Sequence, residues 1–418
     1  MTRVAVALAC LLVVTGCTGA ETQEVTVLVA GDPFELAAYR EVVEASGLPV
    51  RLIEVAERDE LIARLSTSIA AGEPPDLFLL NYRYHSQFLA TGAVTPMQPF
   101  LDRSAVLAED DFYPSVLDVF REDDAITCLP QNAATLVVYF NEELFASAGV
   151  PVPATSWTWD EMVGRAQLLT SDLDGDGTID VHGLGVDPEI IRIAPLVWSA
   201  GSELVDDDEE PTRFTLANPR AVAAVQAFLD LRARFGVVPT DEEAESRDLE
   251  SRFMDGSLAM FIESRKVVPS LRTIEDFGWD VAPLPPIGQP ANVLHSDAYC
   301  LTSASEHQEA AFRFVEFALG SEGQRILAEA GRIVPVRPDV ASSVAFLDPG
   351  EPPASSQVYL DQLPTTRALP RVAAWPEIED VANTLIEEAF YEPVGGSEAG
   401  ELVLTLMDAT RPLFARKA

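Results

Sequence analysis

Residues 24–80, EVTVLVAGDPFELAAYREVVEASGLPVRLIEVAERDELIARLSTSIAAGEPPDLFLL, alternate two hydrophobic patterns. EVTVLVAGD runs apolar like a buried strand and stops at Gly31-Asp32-Pro33, and VRLIEVA and DLFLL repeat the pattern. Between them, ELAAYREVVEASG and DELIARLSTSIAAG carry apolar residues at helical spacing and stop at Gly47 and Gly72. Strand, helix, strand, helix, strand in this order predicts an α/β sheet with parallel neighbours. Ligands of such sheets sit beyond the carboxyl ends of the strands, so Gly31, Asp32 and Asn81-Tyr82-Arg83-Tyr84 become site candidates by topology.

Toward the C-terminus the same class recurs. TLVVYF reads as a strand and NEELFASAG as a helix, ANPRAVAAVQAFLDLRARFG is a long helix closed by Gly236, and DLESRFMDGSLAMFIES reads helix, Gly256 turn, strand. A chain of 418 residues, 48% of them hydrophobic, is long enough for about two domains. Toward the N-terminus, MTRVAVALACLLVVTGC has one early charge at Arg3 and an apolar run from Val4 to Val14 before Cys17. This pattern predicts a secretion signal over 1–16 and a lipid-bearing Cys17 with a polar linker over 17–23. The run is shorter than the roughly twenty residues a bilayer span needs. An exported protein is expected, anchored by lipid to the outer face of a membrane at the cell surface or in the periplasm.

Lys and Arg number 28 against 67 Asp and Glu, a net charge of −39. Nucleic acid and anionic lipid surfaces would be repelled, so neither is an expected partner. Once Cys10 leaves with the signal and Cys17 carries lipid, Cys128 and Cys300 remain. An exported compartment permits a disulfide between them, and two buried free thiols are the alternative.

The sharpest local motif is SDLDGDGTIDVHG, residues 171–183. Asp172, Asp174, Asp176 and Asp180 supply oxygen ligands at the first, third, fifth and ninth places of a calcium loop, Thr178 a backbone carbonyl at the seventh, and Gly177 the turn at the sixth. Gly183 stands where the bidentate Glu belongs. A structural Ca²⁺ is the expectation, with an ion-free Asp-Gly turn as the alternative; no organic cofactor is expected. Catalytic patterns are weak. None of the four histidines lies in an HExxH motif, GxSxG and phosphate-cradling glycine loops are absent, and in His295-Ser296-Asp297 strand alternation points neighbours to opposite faces. Tyr82, Arg83, Tyr84, Trp198, Tyr299 and Trp375 read as residues at strand ends or loops, able as a group to line a cleft; Trp157 and Trp159, beside a helix start, read as packing.

Five blocks in order then carry a resemblance: residues 70–102 (AAGEPPDLFLLNYRYHSQFLATGAVTPMQPFLD), 128–162 (CLPQNAATLVVYFNEELFASAGVPVPATSWTWDEM), 253–265 (FMDGSLAMFIESR), 279–285 (WDVAPLP) and 295–336, which opens HSDAYCLTSASEHQEAAF. The chain resembles the extracellular solute-binding proteins of sugar-importing ABC transporters, the group that includes maltose-binding protein. The resemblance implies a type II periplasmic-binding-protein fold: two α/β lobes, 24–130 with 296–338 and 131–295 with 339–418, joined by hinge crossings near 128–136 and 294–301. Adjacent crossings would bring Cys128 and Cys300 together. It further implies a monomer that binds a mono- or oligosaccharide between the lobes without catalysis and passes it to membrane permease subunits. Asp32, Arg83, Asn132, Arg265 and Asp297 are the candidate partners for hydroxyls, with Tyr82, Tyr84, Trp198, Tyr299 and Trp375 for stacking. The family's pattern is broken at Asn81-Tyr82-Arg83-Tyr84 and at Glu263-Ser264-Arg265-Lys266, which admits an anionic or otherwise substituted ligand. A phosphorylated polyol or polyamine receptor of the same fold, and an exported hydrolase, are the alternatives.

Overall fold

The computed structural model describes residues 24–391 and 399–416; the expected signal, Cys17 and linker lie outside the described residues. In chain order the elements that position the site are β1 (Val25–Ala30), α1 (Pro33–Ser46), β2 (Val50–Val55), α2 (Arg58–Ala71), β3 (Leu77–Asn81), α3 (Tyr82–Ala90), β4 (Val94–Thr95), β5 (Cys128–Pro130) and β6 (Val137–Asn141). There follow α4 (Ile190–Ser199), α5 (Pro219–Ala233), α6 (Leu249–Met254), β7 (Met260–Glu263), β8 (Trp279–Pro283), β9 (Asn292–Val293), β10 (Asp297–Thr302), α7 (Gln308–Leu319), α8 (Ser321–Glu329), β11 (Thr366–Arg367), α9 (Trp375–Tyr391) and α10 (Ala399–Phe414).

The expected helix stops are present: Gly47 and Gly72 cap α1 and α2 in the left-handed region, with φ of 61° and 76°. Asp32 starts α1, its Oδ1 accepting the N–H groups of Phe34 and Glu35 at 2.8 and 2.9 Å, with Pro33 supplying a preset φ in the first turn.

The larger sheet runs β2-β1-β3-β10-β4, with β5 also on β10. β1 pairs in parallel with β2 and β3, as the crossover pattern requires, whereas β10 returns antiparallel to β3, β4 and β5. Helices α7 and α8 pack against α1. The smaller sheet, β8-β6-β7, is wholly antiparallel. Its central strand shows the period of two: Val138 and Phe140 enter the main apolar core, while Val137 and Tyr139 join a second cluster with Phe253, Phe261 and Trp279. α9 and α10 pack on each other and on α5, and α9 also reaches α3. The fold is the two-lobe type II periplasmic-binding-protein architecture.

The crossings lie side by side. β5 pairs with β10, Ala134 bridges His295, and Asn132 bridges Pro335, so a third segment joins them. Cys128 and Cys300 stand directly opposite on β5 and β10 and are joined by a disulfide with a Cα separation of 4.6 Å, across 172 positions of chain. That spacing is the one that lets opposed side chains meet on antiparallel strands.

Candidate functional site

The carboxyl ends of β1, β2 and β3 open into a cavity of 780 Å³, a size typical of small-molecule sites. Gly31, Asp32, Glu57 and Asn81 line it from the larger sheet, Asp297 and Arg332 from the crossings, and Glu250 and Lys266 from the smaller lobe. It therefore has walls on both sides of the hinge. No aromatic side chain lines it among the described residues.

At its floor, Asn81 and Asp297 are register partners at the ends of β3 and β10. Side chains so placed lie about 5 Å apart at Cβ. Asn81 Oδ1 accepts the backbone N–H of Arg83 at 3.2 Å, which caps α3, and also Arg83 Nε at 3.2 Å. Its amide N–H groups have no protein partner among these bonds. Asp297 is held by Asn132, whose Nδ2 donates to Oδ2 at 3.2 Å and whose Oδ1 accepts the Asp297 N–H at 2.9 Å. Oδ1 of Asp297 stays free for another donor.

A second knot closes the α1 side. Arg332 Nη1 donates to Asp32 Oδ2 at 2.7 Å and to the Lys266 carbonyl at 2.9 Å, and Nη2 pairs with Glu35 Oε2 at 2.5 Å. Tyr39 donates its hydroxyl to Glu35 Oε1 at 2.6 Å. Burial pushes the Glu35 carboxyl above the usual range even against Arg332 and Tyr39. A Cβ at Gly31 would meet the Glu35 carboxylate, so a larger residue there would have to displace the side chain that Arg332 and Tyr39 hold.

Of the ten sequence-derived contact candidates, the structure brings Asp32 and Asp297 to the cavity, with Asn132 behind Asp297. Several others are corrected. Tyr82 opens α3 fully buried, its hydroxyl accepting the Leu369 N–H at 3.0 Å. Tyr299 is buried in mid-strand, its hydroxyl accepting from Gln131 at 3.3 Å. Trp198 lies inside α4 rather than in a loop and is buried under Arg367, whose guanidinium stands 4.9 Å from the ring centroid. Trp375 is the buried first residue of α9, edge-on to Phe214 at 5.9 Å. Arg265 has no exposure and packs its guanidinium against Phe346 and Tyr359. The common reason is that an amphipathic ring or stem fills a core as well as it lines a cleft. Arg83 spans the lobes to form an ion pair with Glu379 of α9, and half-buried Tyr84 follows it on α3.

Glu35, Glu250, Lys266 and Arg332 also line the cavity and were not among the sequence candidates, whereas Asn81 was a candidate by topology and lies there. Asn81 follows DLFLL and ends its strand, and Lys266 is the sequence neighbour of the candidate Arg265. Arg332 had no sequence signal.

His295 forms no relay: Ser296 donates its hydroxyl to the Asn132 carbonyl at 2.7 Å, and Asp297 is engaged by Asn132. Burial, with Arg192 and Arg83 nearby, depresses the imidazole pKa well below its ordinary value and keeps it neutral. Trp157 and Trp159 pack in the core as expected, Trp157 Nε1 donating to the Pro283 carbonyl at 2.8 Å. Away from the cavity, oxygens of Asp172, Asp174 and Asp176 converge within 4.8 Å of one another. Asp172 accepts the N–H groups of Gly175 and Gly177 at 2.7 and 2.8 Å, which hold its carboxyl below the usual range. Asp180 Oδ2 accepts the Leu173 N–H at 2.6 Å. Gly183 is pressed against the Ala166 carbonyl and leaves no room for a side chain there. The convergent donor set fits a cation, without the bidentate ligand of a tight site.

Residues 35–325 match the family model described as bacterial extracellular solute-binding protein. A binding protein of Brucella abortus is 23% identical over 388 residues, covering 89% of each chain. The mannitol-binding protein of Pseudomonas aeruginosa is 24% identical over 351 residues, 82% of this chain and 78% of that one. Among solved structures, an ABC substrate-binding protein of Listeria monocytogenes in complex with cycloalternan superposes with a TM-score of 0.85 at 22% identity, covering 94% of this chain and 99% of that one.

Proposed function

Because this chain belongs to the bacterial extracellular solute-binding proteins, we propose that it is the substrate-binding component of an ABC importer, taking a mono- or oligosaccharide in the interlobe cavity and delivering it unchanged to membrane permease subunits. The observation that carries the reading is the Asn81–Asp297 pair, which sets an unpaired amide donor beside a free carboxylate oxygen on opposed strands. Neighbouring sugar hydroxyls each donate and accept, so a vicinal diol answers both groups at once. The relatives that bind mannitol and cycloalternan support a polyhydroxylated ligand. Ligand trapped between the walls favours the closed arrangement of a two-state hinge. The protein acts as a monomer, exported and held at the membrane by lipid on Cys17.

Calorimetry with a panel of hexoses, hexitols and maltodextrins tests the reading. At least one member binds the intact protein, and Asp297→Asn weakens it about tenfold or more by removing a charged acceptor. A panel that gives no heat and no thermal shift rejects it, as does recovery of any member in chemically altered form.

We further propose that Asp172, Asp174, Asp176, Asp180 and the Thr178 carbonyl hold a structural calcium ion. Millimolar calcium should then raise the unfolding temperature, on the order of 2 °C, reversed by chelator and absent in Asp174→Asn. An identical melting curve in all three conditions removes the ion.

A further inference from the structure

To the cavity that Asn81 and Asp297 line, the smaller lobe contributes one cation, Lys266, and it is braced by a buried acid. Lys266 has a side chain 54% exposed, with Nζ 3.3 Å from Glu263 Oε2. Glu263 is 1% exposed, at the end of β7. Its Oε1 accepts the Ser264 N–H at 2.6 Å, and its Oε2 also accepts Arg192 Nη2 at 2.6 Å. Arg192, in the first turn of α4, is 4% exposed and has no protein partner at Nε or Nη1.

An ammonium has three N–H donors. One faces Glu263, leaving others for the cavity. A lysine on a free stem would lose rotamer freedom when it met a ligand; here a buried acid already selects its position, so less is lost on binding. With no ring lining the cavity to stack on a sugar face, recognition falls to donors and acceptors that read its edge.

We propose that Lys266 is a specificity-determining donor that takes an oxygen on the edge of the bound saccharide, and that Glu263, clamped by Arg192, is its positioning residue. This rests on the saccharide reading above. The class it selects is a sugar gripped along its edge between Lys266 and the Asn81–Asp297 pair: a monosaccharide, or one terminal unit of a longer chain. The acceptor is either a ring hydroxyl or a sugar carboxylate.

The test is calorimetry of the full chain with D-glucose, D-galactose, D-mannitol, D-glucuronate and maltose. Lys266→Met should weaken whichever of these binds best by about tenfold or more, and Lys266→Arg should recover most of the loss. Glu263→Gln should weaken the same ligand, and the double variant Glu263→Gln/Lys266→Met should be no weaker than Lys266→Met alone, a non-additivity that loss of general structure would not produce. If Glu263→Gln fails to fold, the two Lys266 variants decide the matter. Glucuronate favoured over glucose in the intact protein, with the preference lost in Lys266→Met, assigns the acceptor as carboxylate; the reverse order assigns it as hydroxyl. A panel member bound as tightly by Lys266→Met as by the intact protein overturns the proposal and leaves the saccharide reading standing. A panel that the intact protein does not bind at all overturns both.

Discussion

Two regions of the smaller lobe each bury an arginine and treat its charge in opposite ways. Behind the cavity wall, Arg192 meets Glu263 at 2.6 Å and Asp187 at 3.7 Å. In the core beneath β7, Arg265 has no acid partner: its guanidinium stands 4.3 Å from the Phe346 ring and 5.1 Å from Tyr359, and Nη1 donates to Ser356 Oγ at 3.3 Å. Burial lowers the pKa of both. Glu263, Glu189 and Asp187 more than reverse this for Arg192, and nothing of the kind does so for Arg265. The lesson is that an ion pair creates a mutual dependence, whereas contact with aromatic rings does not. Where a charge must hold another side chain in place beside a ligand, the pair is used; where it only fills space, rings suffice.

The largest effect expected from this contrast is for Arg192→Met. It strands Glu263 as a buried, under-compensated carboxylate, and urea unfolding near neutral pH should show a loss of about 3–5 kcal/mol. Equal stability of variant and intact protein would place the two arginines in one class and break the comparison. Acid sharpens it. Burial raises the Glu263 carboxyl, but Arg192 and Lys266 pull it well below its usual value of 4.5. A group depressed by folding stabilises fully above its unfolded pKa and ceases to do so as pH falls through the folded one. The gap between intact protein and Arg192→Met should therefore be widest above about pH 5 and narrow as pH drops below that, a trend that paired unfolding curves at several pH values would reveal or refute.

The smallest effect belongs to Arg265→Met. No acid is left behind and the new side chain keeps an apolar stem against the rings, so stability should move by about 1 kcal/mol or less, in either direction, with no pH trend of its own. A loss as large as that for Arg192→Met would show that the rings neutralise a charge as strictly as a carboxylate does.

Much of the frame was legible from local patterns. The strands and helices of residues 24–80, their glycine stops and the cavity position of Gly31 and Asp32 follow from periodicity and from where parallel strands end. The site was less so. Arg265 and Lys266 are neighbours in sequence, and a single turn of 3-10 helix over Arg265–Val267 sends one into the core and the other to the cavity. Tyr82 and Tyr299 looked like cleft residues because a ring with a polar edge suits a sugar, but that same shape suits a core with one hydrogen-bond partner.

Alternating apolar residues, capping side chains and glycines at helix ends act over a few positions, and those short-range preferences made the strands and helices of residues 24–80 readable from the linear chain alone. Which side chains line the cavity was decided only when the chain closed on itself. Arg332 meets Asp32 from 300 positions away, and Asn81 stands opposite Asp297 only because β10 returns antiparallel to β3. Contacts of that kind depend on strand order and on the opposing lobe, which no local spacing encodes.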